Sequence, residues 1–412
     1  MKHFAILVEN ESSLQTLITS IYEGSYKYFE SLKDKKGGIF SAEELEHFID
    51  REERHEIKTL TSNRNQSLLS MSSGERKKAL LKHILSKSPE YLIVVNPFDN
   101  LDIESQADLK TRLEVISEKI HLIQLVSRLE DILMFTSDFF TYSKGELHYF
   151  QNRELFWKVH EKSKNNLSNA IPAPIRASNF FNTELVRFQG VSVSFDGKQI
   201  LKNIDWTINK GEFWQLIGPN GSGKSTLLNM ITGDSHKGYG QNLTLLGNKK
   251  GSGESVWDIK KHIGYFTPSM TDKFKGRHTL ENMLVAGLHD SVGLYIKPTD
   301  NEKQLALKWL ALIGLDKKKE VYFHQLSMGQ KRLLMVARAM IKHPILLILD
   351  EPTVGLDDSN TGLFLALVNK IVNETESAII YVSHRAEAGL NPQFIYKLSI
   401  TENGSTGKIV YI

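Results

Sequence analysis

The sequence predicts a three-layer α/β protein made of two related halves in tandem, each built on a mostly parallel sheet. Three observations predict it. Short apolar runs such as Leu346–Asp350 (LLILD) and Ser377–Val382 (SAIIYV) end in polar residues, the pattern of buried parallel strands whose C-terminal ends carry a site. These runs alternate with stretches of helical apolar spacing. Finally, Ser327 to Asp357 repeats Ser72 to Asp102 without a gap, 255 residues further on. Identical pairs include Ser72 and Ser327, Gly74 and Gly329, Lys87 and Lys342, Pro97 and Pro352, and Asp102 and Asp357. Such self-similarity is the mark of duplication.

The repeat extends in both directions. Val126–Arg128 (VSR) parallels Val382–His384 (VSH), and Phe4–Ile21 parallels Phe213–Ile231 as strand, polar turn and helix. The halves are unequal: Val8 to Gly74 spans 66 residues, whereas Gly218 to Gly329 spans 111. The first half also begins at this strand, with no counterpart of Leu185–Lys210. Between the halves, Lys162–Thr183 carries Asn, Ser, Ala and two prolines and reads as a linker. The expected domains are a truncated first half over 1–155, a linker over 156–183 and a complete second half over 184–412. Asn301–Leu315, with Leu305, Leu307, Trp309, Leu310 and Ile313 on one pattern, is expected to be a helix of an inserted helical subdomain.

Composition bounds the function. The 412 residues exceed one ordinary core, and 41% apolar with 24% charged residues is a globular balance. The net charge of +3 and pI of about 8.6 are mildly basic. The basic clusters Lys33–Lys36 and Lys317–Lys319 are short solvated surface rather than a nucleic-acid track. With no cysteine, disulfide and thiolate chemistry are excluded. The N-terminal residues turn acidic and polar after a short apolar run, a pattern not expected of a signal peptide, and no run approaches the ~20 apolar residues of a membrane span. The expectation is a cytoplasmic protein that reaches the inner face of the cell membrane only through a partner.

The chemistry concentrates in the second half. Gly218, Pro219, Asn220, Gly221, Ser222, Gly223, Lys224, Ser225 and Thr226 fit the phosphate-loop pattern G-x-x-x-x-G-K-[ST]. Glycines let backbone N–H groups converge on phosphate oxygens at a helix N-terminus, Lys224 reaches the β- and γ-phosphates, and Ser225 ligates Mg²⁺. At the end of LLILD, Asp350 is expected to hold the same Mg²⁺ and Glu351 to activate the attacking water.

Leu326–Gln330 (LSMGQ) makes the pattern specific. The order phosphate loop, LS-x-GQ, ILDEP, GLD, SH resembles that of the ATP-binding-cassette (ABC) ATPases, a family of P-loop NTPases. That resemblance implies ATP and Mg²⁺ as cofactors and ATP hydrolysis as the activity. It further implies a γ-phosphate cap at Ser327 and Gly329, a switch histidine at His384, a D-loop at Asp357, and adenine stacking on Phe195. Where the family carries a glutamine that contacts Mg²⁺ and faces the transporter, this chain has Ser269. A serine still reaches a metal through water, but coupling to a membrane partner is weakened. Gly287–Tyr295 (GLHDSVGLY) and the Ser269 change also resemble the tandem-cassette proteins described as molybdate-transport ATP-binding or photorepair proteins. On that resemblance the chain energises a separate transmembrane permease, for molybdate or another small anion. The alternative is an ATP-driven switch acting on a protein or nucleic-acid partner.

The first half has lost these groups. Leu14, Val95, Asn96 and Arg128 stand where the alignment places Lys224, Asp350, Glu351 and His384. It keeps MSSGE, with Ser72 and Gly74 in the signature position. The expectation is one nucleotide site per chain, capped by the degenerate half in a pseudo-dimer within one chain.

Overall fold

The computed structural model describes residues 1–412 except 9–13, 62–65, 161–166, 168, 177–179, 275, 385–386, 388 and 412. The first half's equivalent of the phosphate loop and part of the linker therefore lie outside the described residues. The chain divides into two compact units, Met1–Ser163 with Gly355–Asp358, and Lys164–Val354 with Ser359–Ile412.

The first unit contains β1 (Phe4–Val8), α1 (Leu14–Tyr22), β2 (Gly37–Phe40), α2 (Ala42–His55), α3 (Ser73–Ser86), β3 (Tyr91–Val95), α4 (Ile103–Ser117), β4 (His121–Val126), β5 (Asp138–Ser143), β6 (Glu146–Phe150) and α5 (Arg153–His160). Its sheet runs β2-β3-β4-β1-β5-β6, parallel except for the β5–β6 hairpin. Alternate residues of the central strands face opposite layers. Ile93 and Ile123 pack with Leu17, Ile18 and Ile21 of α1, whereas Leu92, Val94 and Leu122 pack with Leu80, Leu81, Leu109 and Leu113 of α3 and α4.

The second unit begins with the long hairpin β7 (Glu184–Phe195) and β8 (Lys198–Asn209). Asp196 and Gly197 join them with φ of 48° and 78°, the Asp-Gly chemistry that a two-residue turn needs. Then follow β9 (Phe213–Ile217), α6 (Lys224–Ile231), β10 (Leu243–Leu245), β11 (Asn248–Lys249), α7 (Val256–His262), β12 (Ile263–Phe266), α8 (Leu280–Leu288), α9 (Asp300–Leu312) and α10 (Met328–Met340). The unit closes with β13 (Leu346–Asp350), α11 (Asp358–Glu374), β14 (Ala378–Val382), β15 (Phe394–Thr401) and β16 (Gly404–Tyr411). Six strands, β12-β13-β14-β9-β15-β16, repeat the first unit's order strand for strand, and β8, β7, β10 and β11 extend the sheet beyond β16. The helix expected over Asn301–Leu315 is α9; Leu305, Trp309 and Leu310 are buried, and Thr299 caps it through a capping box.

The duplication reaches the backbone. Left-handed φ angles recur at matched positions: Ser88 (51°) and His343 (52°), Asn96 (39°) and Glu351 (50°), Asn100 (59°) and Gly355 (74°). No described helix is long and apolar enough to cross a membrane.

Candidate active site

The candidate site is built where β9, β13 and β14 end side by side. Strand β9 delivers the chain into the phosphate loop, where Gly221 and Gly223 take φ of 79° and 91°. Gly223 is the N-terminal cap of α6, and a Cβ there would meet Leu201 Cδ2 of β8 at 2.6 Å. A larger residue would strain this left-handed turn and force the Leu201 side chain to move. Ser222 is fully buried, and its Oγ has no hydrogen-bond partner among the described residues. Lys224 is 7% exposed and donates from Nζ to the carbonyls of Gly218 (2.8 Å) and Pro219 (3.0 Å). Gly218, Pro219 and Asn220 are half-buried, Ser225 is exposed on the first turn of α6, and Thr226 is half-buried.

Strand β13 presents Asp350 and, past its end, Glu351. Burial first, and then the neighbouring Glu351 charge, push the Asp350 carboxyl up to about 6, against the pull of Tyr265, Lys224 and His384. For Glu351, burial acts upward, but the hydrogen bond and charge of His384, with the Lys224 charge, hold it below the usual carboxylate range. His384 Nε2 contacts Glu351 Oε1 directly. Lys224, Asp350, Glu351 and His384 thus lie in one cluster of titratable side chains.

Mg²⁺ takes oxygen ligands and commonly uses one or two protein groups, with phosphates and waters completing its octahedron. Asp350 and Ser225 are oxygen donors of that kind, and a half-buried carboxylate resisting ionisation gains most from a cation, so the residues present fit the ion. Ser269 is exposed in the 3₁₀ turn Pro268–Lys273, beyond the strand that pairs with β13. Phe195 is 38% exposed at the end of β7, with Lys237 Nζ 5.0 Å from its ring centroid.

Both signature turns are helix N-termini. Ser72 and Ser327 are exposed caps of α3 and α10, each in a capping box with Glu75 or Gln330. Gly74 and Gly329 are buried, and an added Cβ would meet Ser105 Oγ at 2.9 Å or Asn360 Oδ1 at 2.0 Å. A side chain at Gly329 would have to displace Asn360 down to its Cβ, whereas at Gly74 rotation of the Ser105 hydroxyl would relieve the contact.

One alignment is corrected. Ile6 pairs with Leu125 and Leu216 with Val382; likewise Asn96 N donates to Leu125 O (2.9 Å) and Glu351 N to Val382 O (3.0 Å). The ladders therefore match Leu125 to Val382, so the counterpart of His384 is Ser127 and not Arg128. Ser127 N donates to Asn96 Oδ1 (3.0 Å), and Asn96 Nδ2 donates to Ser127 Oγ (3.1 Å). The titratable Glu–His pair of the second unit is an Asn–Ser pair, with no titratable group, in the first. Arg128 instead donates from Nε to Leu356 O (3.0 Å).

Two contacts escape sequence reasoning. Tyr265 Oη donates to Asp350 Oδ2 (3.3 Å), and burial raises its phenol far above the ordinary value, keeping it a donor. Gln215 Nε2 donates to Ser383 Oγ (3.0 Å). The lone amide in the apolar strand FWQLI was the available signal for the second.

Comparison with known proteins agrees with this geometry. The family model described as ABC transporter matches residues 201–354. The ABC transporter ATP-binding protein ModF of Escherichia coli (strain K12) is 38% identical over 336 residues, covering 77% of this chain and 67% of that protein. This chain belongs to the ABC transporter ATP-binding proteins. It is an ABC-type ATPase, with ATP and Mg²⁺ as its cofactors. An uncharacterised ABC transporter ATP-binding protein of Schizosaccharomyces pombe is 27% identical over 77% of the chain and 66% of its own length. In fold, the chain resembles the archaeal ribosome recycling factor aABCE1, solved with ribosomal stalk protein aP1 (TM-score 0.65, 13% identity, 100% of this chain and 86% of that one). The same holds for the RNase-L Inhibitor (TM-score 0.63, 15% identity, 99% and 85%).

Proposed function

We propose that this ABC ATPase works as an ATP-driven switch with one nucleotide site per chain, in which the degenerate cassette is a cap and not a second engine. Lys224 grips the phosphates, Asp350 and Ser225 hold Mg²⁺, Glu351 accepts the proton of the attacking water, and His384 orients Glu351 and meets the γ-phosphate. Phe195 carries the adenine. Mg²⁺, when bound, neutralises charge on the phosphates. Ser72 and Gly74 of the first half then cap the γ-phosphate with a hydroxyl, backbone amides and a helix N-terminus.

One observation carries this reading. The first unit keeps an intact capping box at Ser72, the same device as at Ser327, while its catalytic positions hold the neutral pair Asn96–Ser127. The architecture of two cassettes in one chain, shared in fold with the whole-length neighbours above, supports the same reading. Energising a separate permease for molybdate or another small anion rests on the Gly287–Tyr295 resemblance, and Ser269 in place of the glutamine supports it less well.

The deciding experiment compares Ser72→Arg with Ser327→Arg in Mg²⁺-dependent phosphate release. Capping within the chain predicts a loss beyond about tenfold for Ser72→Arg and a change within about twofold for Ser327→Arg. The reverse order, with a rate per chain that rises with protein concentration, would establish a homodimer of second cassettes and overturn the proposal.

A further inference from the structure

We infer that Gln215 is a positioning residue for catalysis: by holding Ser383 it sets the neighbouring His384 against Glu351. Gln215 lies in β9 and is 8% exposed, and Ser383 is 4% exposed. Burying an amide among apolar strands is unfavourable unless it is hydrogen-bonded. Here the bond falls on the residue immediately before the histidine.

The first unit supplies an internal control. The strand registers equate Gln215 with Ala5 and Ser383 with Val126. Ala5 and Val126 are both fully buried and belong to one apolar cluster with Leu7 and Phe156. At this place the fold therefore asks only for packing, and an alanine–valine pair provides it. The polar pair stands only in the unit whose histidine has a carboxylate to meet. In the first unit Ser127, at the histidine position, is instead fixed directly by two hydrogen bonds from and to Asn96. Among the described residues His384 meets Glu351 through Nε2 alone, and its buried Nδ1 has no hydrogen-bond partner. An anchor one residue upstream is what fixes the ring's approach.

The inference rests on hydrolysis at the Lys224–Glu351 site and is independent of which cassette caps it. The test measures single-turnover hydrolysis and ATP affinity for Gln215→Ala in the wild-type and His384→Ala backgrounds. Positioning predicts a fall of about fivefold or more in rate with affinity kept within about twofold, and no further fall once His384 is gone. An unchanged rate, or the same proportional fall without His384, would overturn it. Should Gln215→Ala unfold the chain, the double variant Gln215→Ala with Ser383→Val installs the apolar pair that already packs in the first unit and is judged by the same two criteria. Absence of hydrolysis in the unaltered protein would instead count against the site as a whole.

Discussion

The two units perform the same fold with opposite chemistry, and the pair at the end of their third and fourth core strands shows the difference most clearly. In the second unit Glu351 meets His384; in the first, Asn96 meets Ser127. Each first-unit residue is a neutral hydrogen-bonding substitute, so the link between the strands survives while proton acceptance is lost. The backbone teaches a second lesson. Glu351 has φ of 50°, a strained conformation easily credited to catalysis. Asn96, an amide that cannot act as a base, has φ of 39°. The left-handed turn therefore belongs to the fold's way of leaving the strand, and chemistry was placed upon it. Asparagine tolerates that region better than most residues, which suits a position where the carboxylate is no longer needed.

The largest expected effect breaks the comparison at its active end. Glu351→Gln should lower steady-state phosphate release by about a hundredfold or more while nucleotide still binds, whereas Asn96→Ala should change it by less than about threefold. Equal effects in the two units would deny the asymmetry.

Next, calorimetric titration with a non-hydrolysable ATP analogue and Mg²⁺ should end near one equivalent per chain. Leu14, Val95 and Asn96 offer no phosphate lysine, metal carboxylate or base. A clean endpoint at two equivalents would mean that the first unit binds nucleotide without them.

A smaller effect sharpens the electrostatic contrast between Asp350 and its counterpart Val95. The folded value of about 6 for Asp350 exceeds its ordinary 3.8, so the fold disfavours its charged form. The stability associated with the protonated group is complete below the ordinary value and is lost as pH rises through about 6. Without nucleotide and in EDTA, Asp350→Asn should match the wild type near pH 4 and exceed it by about 1–3 kcal/mol near pH 7. A stability difference that does not grow over that window would show that the buried carboxylate is already compensated.

The smallest effect lies in the first unit. Asn96→Ala removes two hydrogen bonds to Ser127 and should cost about 1–2 kcal/mol in urea unfolding. No change would mean that the neutral pair is incidental.

The sequence made the phosphate loop, the strand carrying Asp350, the duplication and the helix at α9 legible, because glycine spacing, apolar runs and periodicity report on local structure. It misled at β4. The shared Val-Ser dipeptide invited an alignment of Arg128 with His384, but strand ladders fix register through hydrogen bonds that a one-residue slip would turn to the opposite face. Ser127 could not be recognised without them. The contacts of Gln215 and Tyr265 were hidden for a related reason: each partner lies on, or just past, a neighbouring strand, 168 or 85 residues away. The edge extension by β7, β8, β10 and β11 was likewise visible only as an unmatched segment, since the first half has no counterpart to compare it with.

That extension has a consequence for how the molecule behaves in a crowded solution. In the second unit β16 is covered by β8, whereas in the first unit β6 is the last strand of its sheet. An outer strand offers unpaired amide and carbonyl groups to any passing extended chain, the first step of aggregation. Here the strand is only five residues long and carries exposed Glu146 and His148, 3.7 Å apart, beside the Lys144–Gly145 turn. Short length and charge deter a second strand from docking on this edge, so protection that the second unit obtains from added strands is obtained here from side chains.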